Sequence, residues 1–381
     1  MIFGERIRQA RELKGLTQSQ LADQLNVTQS FVAQVEGGRS NPPDEFMNRL
    51  IFRLGFPISF FEQPPNDDFP VGSLLFRAHT SMTDFEQREI YRWAQTEYEL
   101  YRKLTTIRSI KELPLRVPHS QQAPPVAAAL ARSELGIGPD SPIPNLINAL
   151  EKAGVLVIAL PGTFRGRDAF SLWAGWKGDQ RRPVIIVAEQ PADRLRMSVA
   201  HELGHLVMHH PLTMLGDVEG QAKEFGGCFL LPENAMRQDL MPPVTLDTFL
   251  NLKTKWGVSI QAMIVRAHEL GLITPRKKDY LFSKLNARGW RVREPLSHAV
   301  PLERPRAVRK VAELVYGYPI NYEKLAAGTH HLKGFVQQIM EPYSGRPKNG
   351  SDDDTAERDS NSTATSGEVI TFSSRNRRQK G

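Results

Sequence analysis

The first sixty residues carry apolar side chains at the spacing of short amphipathic helices. Ile7, Leu13, Leu21 and Leu50 are examples, and polar residues fill most of the positions between them. Residues three or four positions apart share one face of a helix, so the pattern predicts several helices around a small core. The prolines and Asx residues of segment 63–68 cannot continue a helix. We therefore expect a compact helical domain over residues 1–62.

A longer helical pattern follows over residues 84–106. Tyr91, Trp93, Tyr98 and Leu100 supply its apolar positions. The pattern predicts one long helix inside a helical linker that covers residues 63–117. Two roles remain open for it, that of a plain packed linker helix and that of a connecting or dimerising element.

The chain changes character after residue 117. The runs 154–160 and 183–188 are short, rich in Val and Ile, and bounded by Gly or Pro, which favours β-strands. Segment 170–176 is a third strand candidate, and two helical patterns follow the last strand. A small sheet that precedes a pair of helices defines an α+β unit, which we place at residues 118–242.

Helical patterns return over residues 243–343 and predict a C-terminal helical region. Residues 344–381 carry almost no apolar side chains. Such a segment cannot offset the entropy lost on ordering, so we expect a disordered tail there. The predicted fold class is multidomain, with an all-α first domain, an α+β middle domain and a helical C-terminal region.

Length and composition refine this picture. A chain of 381 residues is long enough for two or three domains. Its net charge of +7 favours an anionic partner only mildly, because a terminal run with Arg375, Arg377, Arg378 and Lys380 contributes part of it. The single cysteine, Cys228, excludes an internal disulfide and indicates a reducing compartment. We find no signal peptide and no apolar stretch of about 18 residues, and expect a cytoplasmic protein without a membrane partner.

The sequence His-Glu-x-x-His occurs at His201, Glu202 and His205, within a predicted helix. Histidines at positions i and i+4 lie on one face of a helix, so both imidazoles can bind one zinc ion at about 2.0 to 2.1 Å. Glu202 projects beside them and can take a proton from a water molecule whose pKa the zinc ion lowers to about 7. The alternative is a buried histidine pair held by hydrogen bonds alone.

A catalytic zinc ion needs a third protein ligand and one open position. Glu219 is the preferred candidate because it opens the next predicted helix, on a face with small residues. Glu224 falls on another face and is the weaker candidate. His209 lies one turn beyond His205, but successive turns diverge from a single metal ion. We therefore expect His209, like His210, to support the site or to lie at the surface.

Residues 194–206, followed by Glu219-x-x-Ala222-x-x-Phe225 and Leu230-Leu231-Pro232, resemble the ImmA/IrrE family of metallopeptidases. The resemblance implies a zincin-like domain of the gluzincin type, with His201, His205 and Glu219 as zinc ligands and Glu202 as the general base. It also implies that the strand before the metal-site helix, 183–188, lies along the cleft and pairs with an extended substrate. One position departs from the family pattern, since Lys223 occupies the place where Asn or Asp is usual.

Residues 16–39 resemble the helix-turn-helix of the Cro/XRE repressor class. Thr17 and Thr28 are suited to cap its two helices. In this class the second helix enters the major groove of DNA. Gln29 can bond adenine through two hydrogen bonds, and Phe31 is either a core residue or a contact for a thymine methyl group. The expected DNA-contacting residues are Gln18, Thr28, Gln29, Ser30, Gln34, Arg39 and Asn41. Since this domain is close to charge-balanced, a homodimer on a two-fold DNA operator is expected.

These features support three functional hypotheses. The first is a DNA-binding transcriptional regulator whose zinc endopeptidase domain cleaves a repressor, an antitoxin or a similar protein. The second is a transcription factor whose peptidase-like domain senses a metal or binds a peptide without cutting it. The third is an antitoxin-like module that binds a toxin through its long helices. For the C-terminal helical region, which resembles a segment found behind this peptidase in longer regulators, the sequence suggests only a packing role.

Overall fold

The computed structural model of the chain describes residues 1–65, 69, 83–108, 121–161, 164, 169–175, 181–209 and 216–340. The predicted tail, 344–381, and His210 lie outside these residues. So does Trp176, the last residue of the predicted strand 170–176. None of the described helices is both long enough and apolar enough to cross a membrane.

The N-terminal domain consists of five helices: α1 (Gly4–Leu13), α2 (Gln18–Leu25), α3 (Gln29–Glu36), α4 (Asp44–Leu54) and α5 (Ile58–Phe61). Thr17 caps α2 in a capping box with Gln20, and the Thr28 hydroxyl accepts a hydrogen bond from the Phe31 amide at the start of α3. Both predicted caps are therefore confirmed. Each one satisfies a backbone N–H that lacks a partner inside the helix.

The long helix is α6 (Asp84–Ile107), which packs against α1 and begins at a capping box of Thr83 and Glu86. Buried ion pairs join the two helices. Arg6 of α1 contacts Glu99 at 2.6 Å, and Arg92 of α6 pairs with Glu12. In the folded chain α6 is thus a packed helix, in line with the simpler of the two roles left open by the sequence.

The middle of the chain contains the three strands β1 (Leu156–Ala159), β2 (Phe170–Ala174) and β3 (Arg182–Val187). Their order is β1-β3-β2, with β1 parallel and β2 antiparallel to β3. β3 is therefore the central strand of the sheet that the described residues form, with both edges paired. The expectation that segment 183–188 pairs with a substrate is wrong for this reason, and within the described residues β1 and β2 are the two edge strands.

Alternate side chains of each strand enter two different cores. Leu156 and Ile186 belong to a core that also contains the N-terminal domain, α6 and the last helices of the chain. Val157 and Ile185 belong to the second core, which contains the helices of the peptidase-like region. Since successive residues of a strand point to opposite faces, one small sheet serves as a shared layer.

The remaining helices are α7 (Pro124–Glu134), α8 (Leu146–Lys152), α9 (Ala192–Met208), α10 (Val218–Leu230), α11 (Glu233–Asp239), α12 (Leu246–Trp256), α13 (Ile260–Glu269), α14 (Pro275–Ala287), α15 (Ala307–Tyr316), α16 (Tyr322–Thr329) and α17 (Lys333–Met340), of which α8 and α9 pack directly on the sheet. The strand and helix types expected from the sequence are confirmed, with bounds that shift by a few residues. Together they give the multidomain, mixed architecture that the apolar patterns predict.

Buried ion pairs attach the segment after α14 to α9. Lys253 of α12 is fully buried and contacts Asp193 of α9 at 2.7 Å and Glu294 at 2.8 Å. Glu303 pairs with Arg196 of α9 and also accepts a hydrogen bond from a backbone amide of α8. The C-terminal region therefore has a structural role, because its carboxylates fix the first half of α9.

Candidate metal centre and DNA-reading helix

One face of α9 packs into the second core, and the other faces α10. Val199, Leu203, Leu206 and Val207 are buried in that core. The α9 and α10 backbones lie so close that a Cβ atom on Gly204 would meet Phe225 at 3.0 Å, and one on Gly226 would meet the His201 backbone at 3.3 Å. This close packing depends on glycine, and it brings the first turn of α10 within reach of the α9 histidines.

Three potential ligand groups converge between the two helices. The Nε2 atoms of His201 and His205 are 3.0 Å apart, and Glu219 places its carboxylate oxygens 3.2 Å from His201 and 3.6 Å from His205. Two atoms that each lie about 2.0 to 2.1 Å from a tetrahedral zinc ion are about 3.3 Å apart. The observed spacing therefore fits one divalent ion. The Glu219 side chain is 57% exposed, so the cluster opens to solvent on its side.

Glu202 lies beside this cluster and is buried. Ser171 of β2 donates its hydroxyl to the Glu202 carboxylate at 2.7 Å, and the same Oγ lies 3.2 Å from the Glu202 carbonyl oxygen. A carboxylate that accepts such a hydrogen bond is held in one orientation. Ser171 was not foreseen from the sequence. It is a strand residue 31 positions before Glu202, and only the packing of β2 on α9 brings the two together.

His209 is buried at the C-terminal end of α9. Its Nδ1 atom is 2.8 Å from Nδ1 of His205, and its Nε2 atom is 3.0 Å from the side-chain oxygen of Gln221 on α10. His209 therefore contacts the candidate ligand His205, and its expected role as a support of the site stays a prediction. Gln221 was not singled out from the sequence.

Other candidate residues lie outside the cluster. Glu224 and Lys223 are exposed and line a separate cavity of about 1020 Å³, on the side of α10 that faces α7 and α13. Cys228 borders the same cavity but is only 7% exposed, and burial raises the pKa of its thiol. Among the described residues, the group of metal-binding side chains that meets around one point is His201, His205 and Glu219.

The second helix of the N-terminal motif, α3, presents Gln29, Ser30 and Gln34 to solvent. The Gln29 side-chain amide donates to the Gln18 oxygen at 2.8 Å, and Gln18 in turn donates to Glu36 at 2.8 Å. Glu36 is buried and pairs with Arg11 at 2.6 Å. The exposed amide of Gln29 is thus joined to the domain interior by a continuous set of hydrogen bonds.

Three further residues of the motif can now be placed. Phe31 packs edge-on against Phe46, with ring centroids 5.3 Å apart, so it fills the core role considered for it. Arg39 and Asn41 are exposed in the segment between α3 and α4. They lie just beyond the C-terminal end of α3, and their contact with the DNA backbone stays a prediction.

Fold and site together define a DNA-binding regulator with a metallopeptidase-like domain. A family model for a helix-turn-helix domain matches residues 2–59, and a peptidase family model described as an IrrE N-terminal-like domain matches residues 150–279. The chain is therefore a fusion of an XRE-like helix-turn-helix domain with an IrrE/ImmA-like domain, which confirms the resemblance seen in the sequence. The second match extends past residue 242 to α14, and the domain bounds drawn from the sequence remain predictions. The chain matches no curated protein.

Proposed function

We propose that the chain is a DNA-binding regulator and a zinc-dependent endopeptidase. The observation that carries this proposal is the meeting of His201, His205 and Glu219 around one point, beside a buried Glu202 that Ser171 holds in place. Two imidazoles and a carboxylate are a ligand set found in catalytic zinc sites, which keep one position open for water or substrate.

Zinc, when bound, supplies Lewis acidity for a peptide carbonyl group and lowers the pKa of water. Glu202 then acts as the general base that takes a proton from the attacking water and passes it to the departing amine. Its hydrogen bond from Ser171 holds the carboxylate in one orientation. Burial strengthens this role, because electrostatic interactions act more strongly where water is excluded.

The substrate is expected to bind as an extended peptide along β2. Within the described residues, β2 pairs only with β3, so its other edge is free to form backbone hydrogen bonds. Ser171 contacts Glu202 from this same strand. A peptide added to the β2 edge would therefore pass close to the general base, and the backbone bonds would hold it independently of its sequence.

DNA recognition is assigned to α3 and its surroundings. Gln29 is proposed to read adenine, with Thr28, Ser30 and Gln34 beside it in the groove and Gln18, Arg39 and Asn41 on the phosphates. A homodimer on a two-fold operator would supply the affinity that one copy lacks. The proposed substrate is a regulatory protein, a repressor or an antitoxin. Both activities would occur in the cytoplasm, where a DNA-binding regulator meets its operator.

Replacing Glu202 with Gln tests the enzymatic part of the proposal. The Glu202→Gln variant should keep its zinc content and lose about 10²- to 10⁴-fold in cleavage, because only the proton acceptor is removed. Peptides from cells with the wild-type chain and with the variant can be compared by mass spectrometry. The matched control is Glu224→Gln, which makes the same change at an exposed position of α10.

Two results would contradict the proposal. Equal cleavage products from the wild type and from Glu202→Gln would exclude the base mechanism. Operator binding that changes with zinc, while the wild type yields no product, would favour a regulator that senses metal or peptide without cutting.

A further inference from the structure

Three side chains form a hydrogen-bond chain that leads away from the point where the candidate ligands meet. It begins at His205, whose Nε2 atom faces His201 and Glu219, while its Nδ1 atom meets Nδ1 of His209 at 2.8 Å. It continues from Nε2 of His209 to the side-chain oxygen of Gln221 at 3.0 Å. Two of the three members, His205 and His209, are buried, and Gln221 is half-buried.

His209 directly follows α9 and has φ −113° and ψ 121°, so the backbone leaves the helical path there. Its imidazole still lies next to that of His205, four positions earlier, with ring centroids 5.0 Å apart.

The direction of the proton donors follows from the last member. The Gln221 oxygen can only accept, so Nε2 of His209 must donate and carries the proton. Nδ1 of a neutral His209 is then the acceptor, and Nδ1 of His205 must donate to it. As a result Nε2 of His205 has no proton, and it keeps the lone pair with which an imidazole binds a metal ion.

We propose that His209 and Gln221 are positioning residues that fix the metal-binding tautomer of His205. The inference rests on the metal site of the proposed function. Lys223, the position that departs from the family pattern, is exposed and lines the cavity on the side of α10 that faces α7 and α13. In this chain the support for the second histidine ligand comes from the end of α9 and from Gln221.

The hydrogen bonds from His205 to Gln221 all donate in one direction, and this direction can be tested. If the Gln221 amide were reversed, its N–H would donate to His209, and the proton would end on Nε2 of His205, where it would block metal binding. An acceptor-only side chain at position 221 should therefore support binding, and an apolar side chain should not. Outer hydrogen-bond partners of this kind change metal affinity by about 10- to 100-fold.

The experiment measures the zinc dissociation constant of the full chain by competition with a coloured chelator. Gln221→Leu and His209→Leu should each weaken zinc binding by about 10-fold or more, and Gln221→Glu should restore wild-type affinity or exceed it. Since the two residues act in series, the double Leu variant should be no weaker than His209→Leu alone. Absorption bands of the cobalt-loaded protein should shift in the Leu variants, because the His205 imidazole is no longer held in one orientation by its hydrogen bond.

Two controls separate this role from general effects. Gln238→Leu makes the same change at an exposed position of α11, and Lys223→Gln shifts the charge of α10 by the same −1 as Gln221→Glu without joining the chain. Neither should reproduce the effect of the variant that it matches. Thermal melting of the metal-free proteins reports whether the buried His209→Leu variant still folds, and Gln221→Leu tests the inference without a change in the helix core.

The outcomes distinguish the inference from the proposed function. A wild-type chain that binds no zinc would overturn both. A wild-type chain that binds zinc while both Leu variants keep its affinity and its cobalt spectrum would overturn only the inference. Additive losses in the double variant would also contradict it, because they would show two independent roles.

Discussion

The two functional helices, α3 and α9, are supported in different ways. The polar side chains of α3 are held by Gln18, Glu36 and Arg11, all within the first 36 residues. Those of α9 are held by partners far along the chain, from Ser171 on β2 to Glu303, which pairs with Arg196 across 107 positions. The DNA reader is thus a local construction, and the metal site is an assembly of distant segments.

This difference has a physical consequence. A site built from distant segments forms only after long loops have closed, so its geometry depends on the stability of the whole domain. The polar contacts of α3 close within the first 36 residues, although the apolar core beneath it is shared with α6 and the last helices. Changes far from the metal should therefore disturb the metal site, while the reading of DNA should respond mainly to changes within the first domain.

The largest effect is expected from Lys253→Met. Lys253 is fully buried between Asp193 of α9 and Glu294, and its loss leaves two buried carboxylates without their cation. Breaking such a pair costs about 3 to 5 kcal/mol. Urea unfolding should show this loss of stability, and zinc binding should weaken with it although residue 253 is not a ligand.

Lys255→Met is the control for that change. Lys255 lies on the same helix and pairs with Asp239, but its side chain is 45% exposed, and ion pairs at such positions contribute about 0 to 1 kcal/mol. Equal stability of the two variants would contradict this difference between α3 and α9, because the buried ion pairs of Lys253 would then not be what supports α9.

The next largest effect is expected on α3, where Gln29→Ala should weaken operator binding. Gln29 gives one amide N–H to Gln18, which leaves its second N–H and its oxygen for the two hydrogen bonds to adenine. Losing such a contact costs about 1 to 3 kcal/mol, or about 5- to 150-fold in operator affinity. Electrophoretic mobility shifts on an operator selected from random DNA will measure it.

Two further measurements on the Gln29→Ala variant test whether its effect is confined to operator binding. Affinity for unrelated DNA should change little, since that affinity comes from phosphate contacts. Zinc affinity should equal that of the wild type, because no described contact joins Gln29 to the metal cluster. An equal loss on all DNA sequences would show that Gln29 does not read bases.

The same contrast explains how much the sequence could predict. His201, Glu202, His205 and the two N-caps depend on spacing within one helix, and such local spacing is visible in the residues themselves. Ser171 could not be predicted, since its contact with Glu202 requires the strand order β1-β3-β2. Strand periodicity identifies which segments are strands but not which one is central, and for that reason the sequence does not reveal that both edges of β3 are paired.

Helix α10 gives a second example of a contact that the sequence does not predict. The spacing after Glu219 directs attention to Lys223, one turn later on the same helix, whereas the residue that completes the hydrogen-bond chain is Gln221. The reason is that only the packing of α10 against α9 brings Gln221 next to His209, and no periodic pattern reveals that packing. The sequence therefore points to the candidate ligands more readily than to the residues that contact them.

A moderate effect is expected from Ser171→Ala. The hydroxyl is one of the contacts that orient Glu202, and a hydrogen bond to a charged group contributes about 1.5 to 3 kcal/mol. Cleavage should fall by about 10-fold or more in kcat, while zinc affinity and operator binding stay unchanged. Ser198→Ala is a suitable control, since Ser198 bonds Gln190 instead of the general base. A drop in zinc affinity would instead assign Ser171 to the metal cluster.

The smallest effect is expected from Arg39→Ala. Arg39 is exposed just after α3, and its proposed partner is a DNA phosphate. Each phosphate contact contributes about 0.9 to the slope of log affinity against log salt concentration on duplex DNA. The variant should therefore bind every DNA sequence slightly less tightly, with a slope lower by about 1, and its preference for the operator should persist. A change in sequence preference would place Arg39 in the groove, and the base-reading surface would then extend beyond α3 into the loop that follows it.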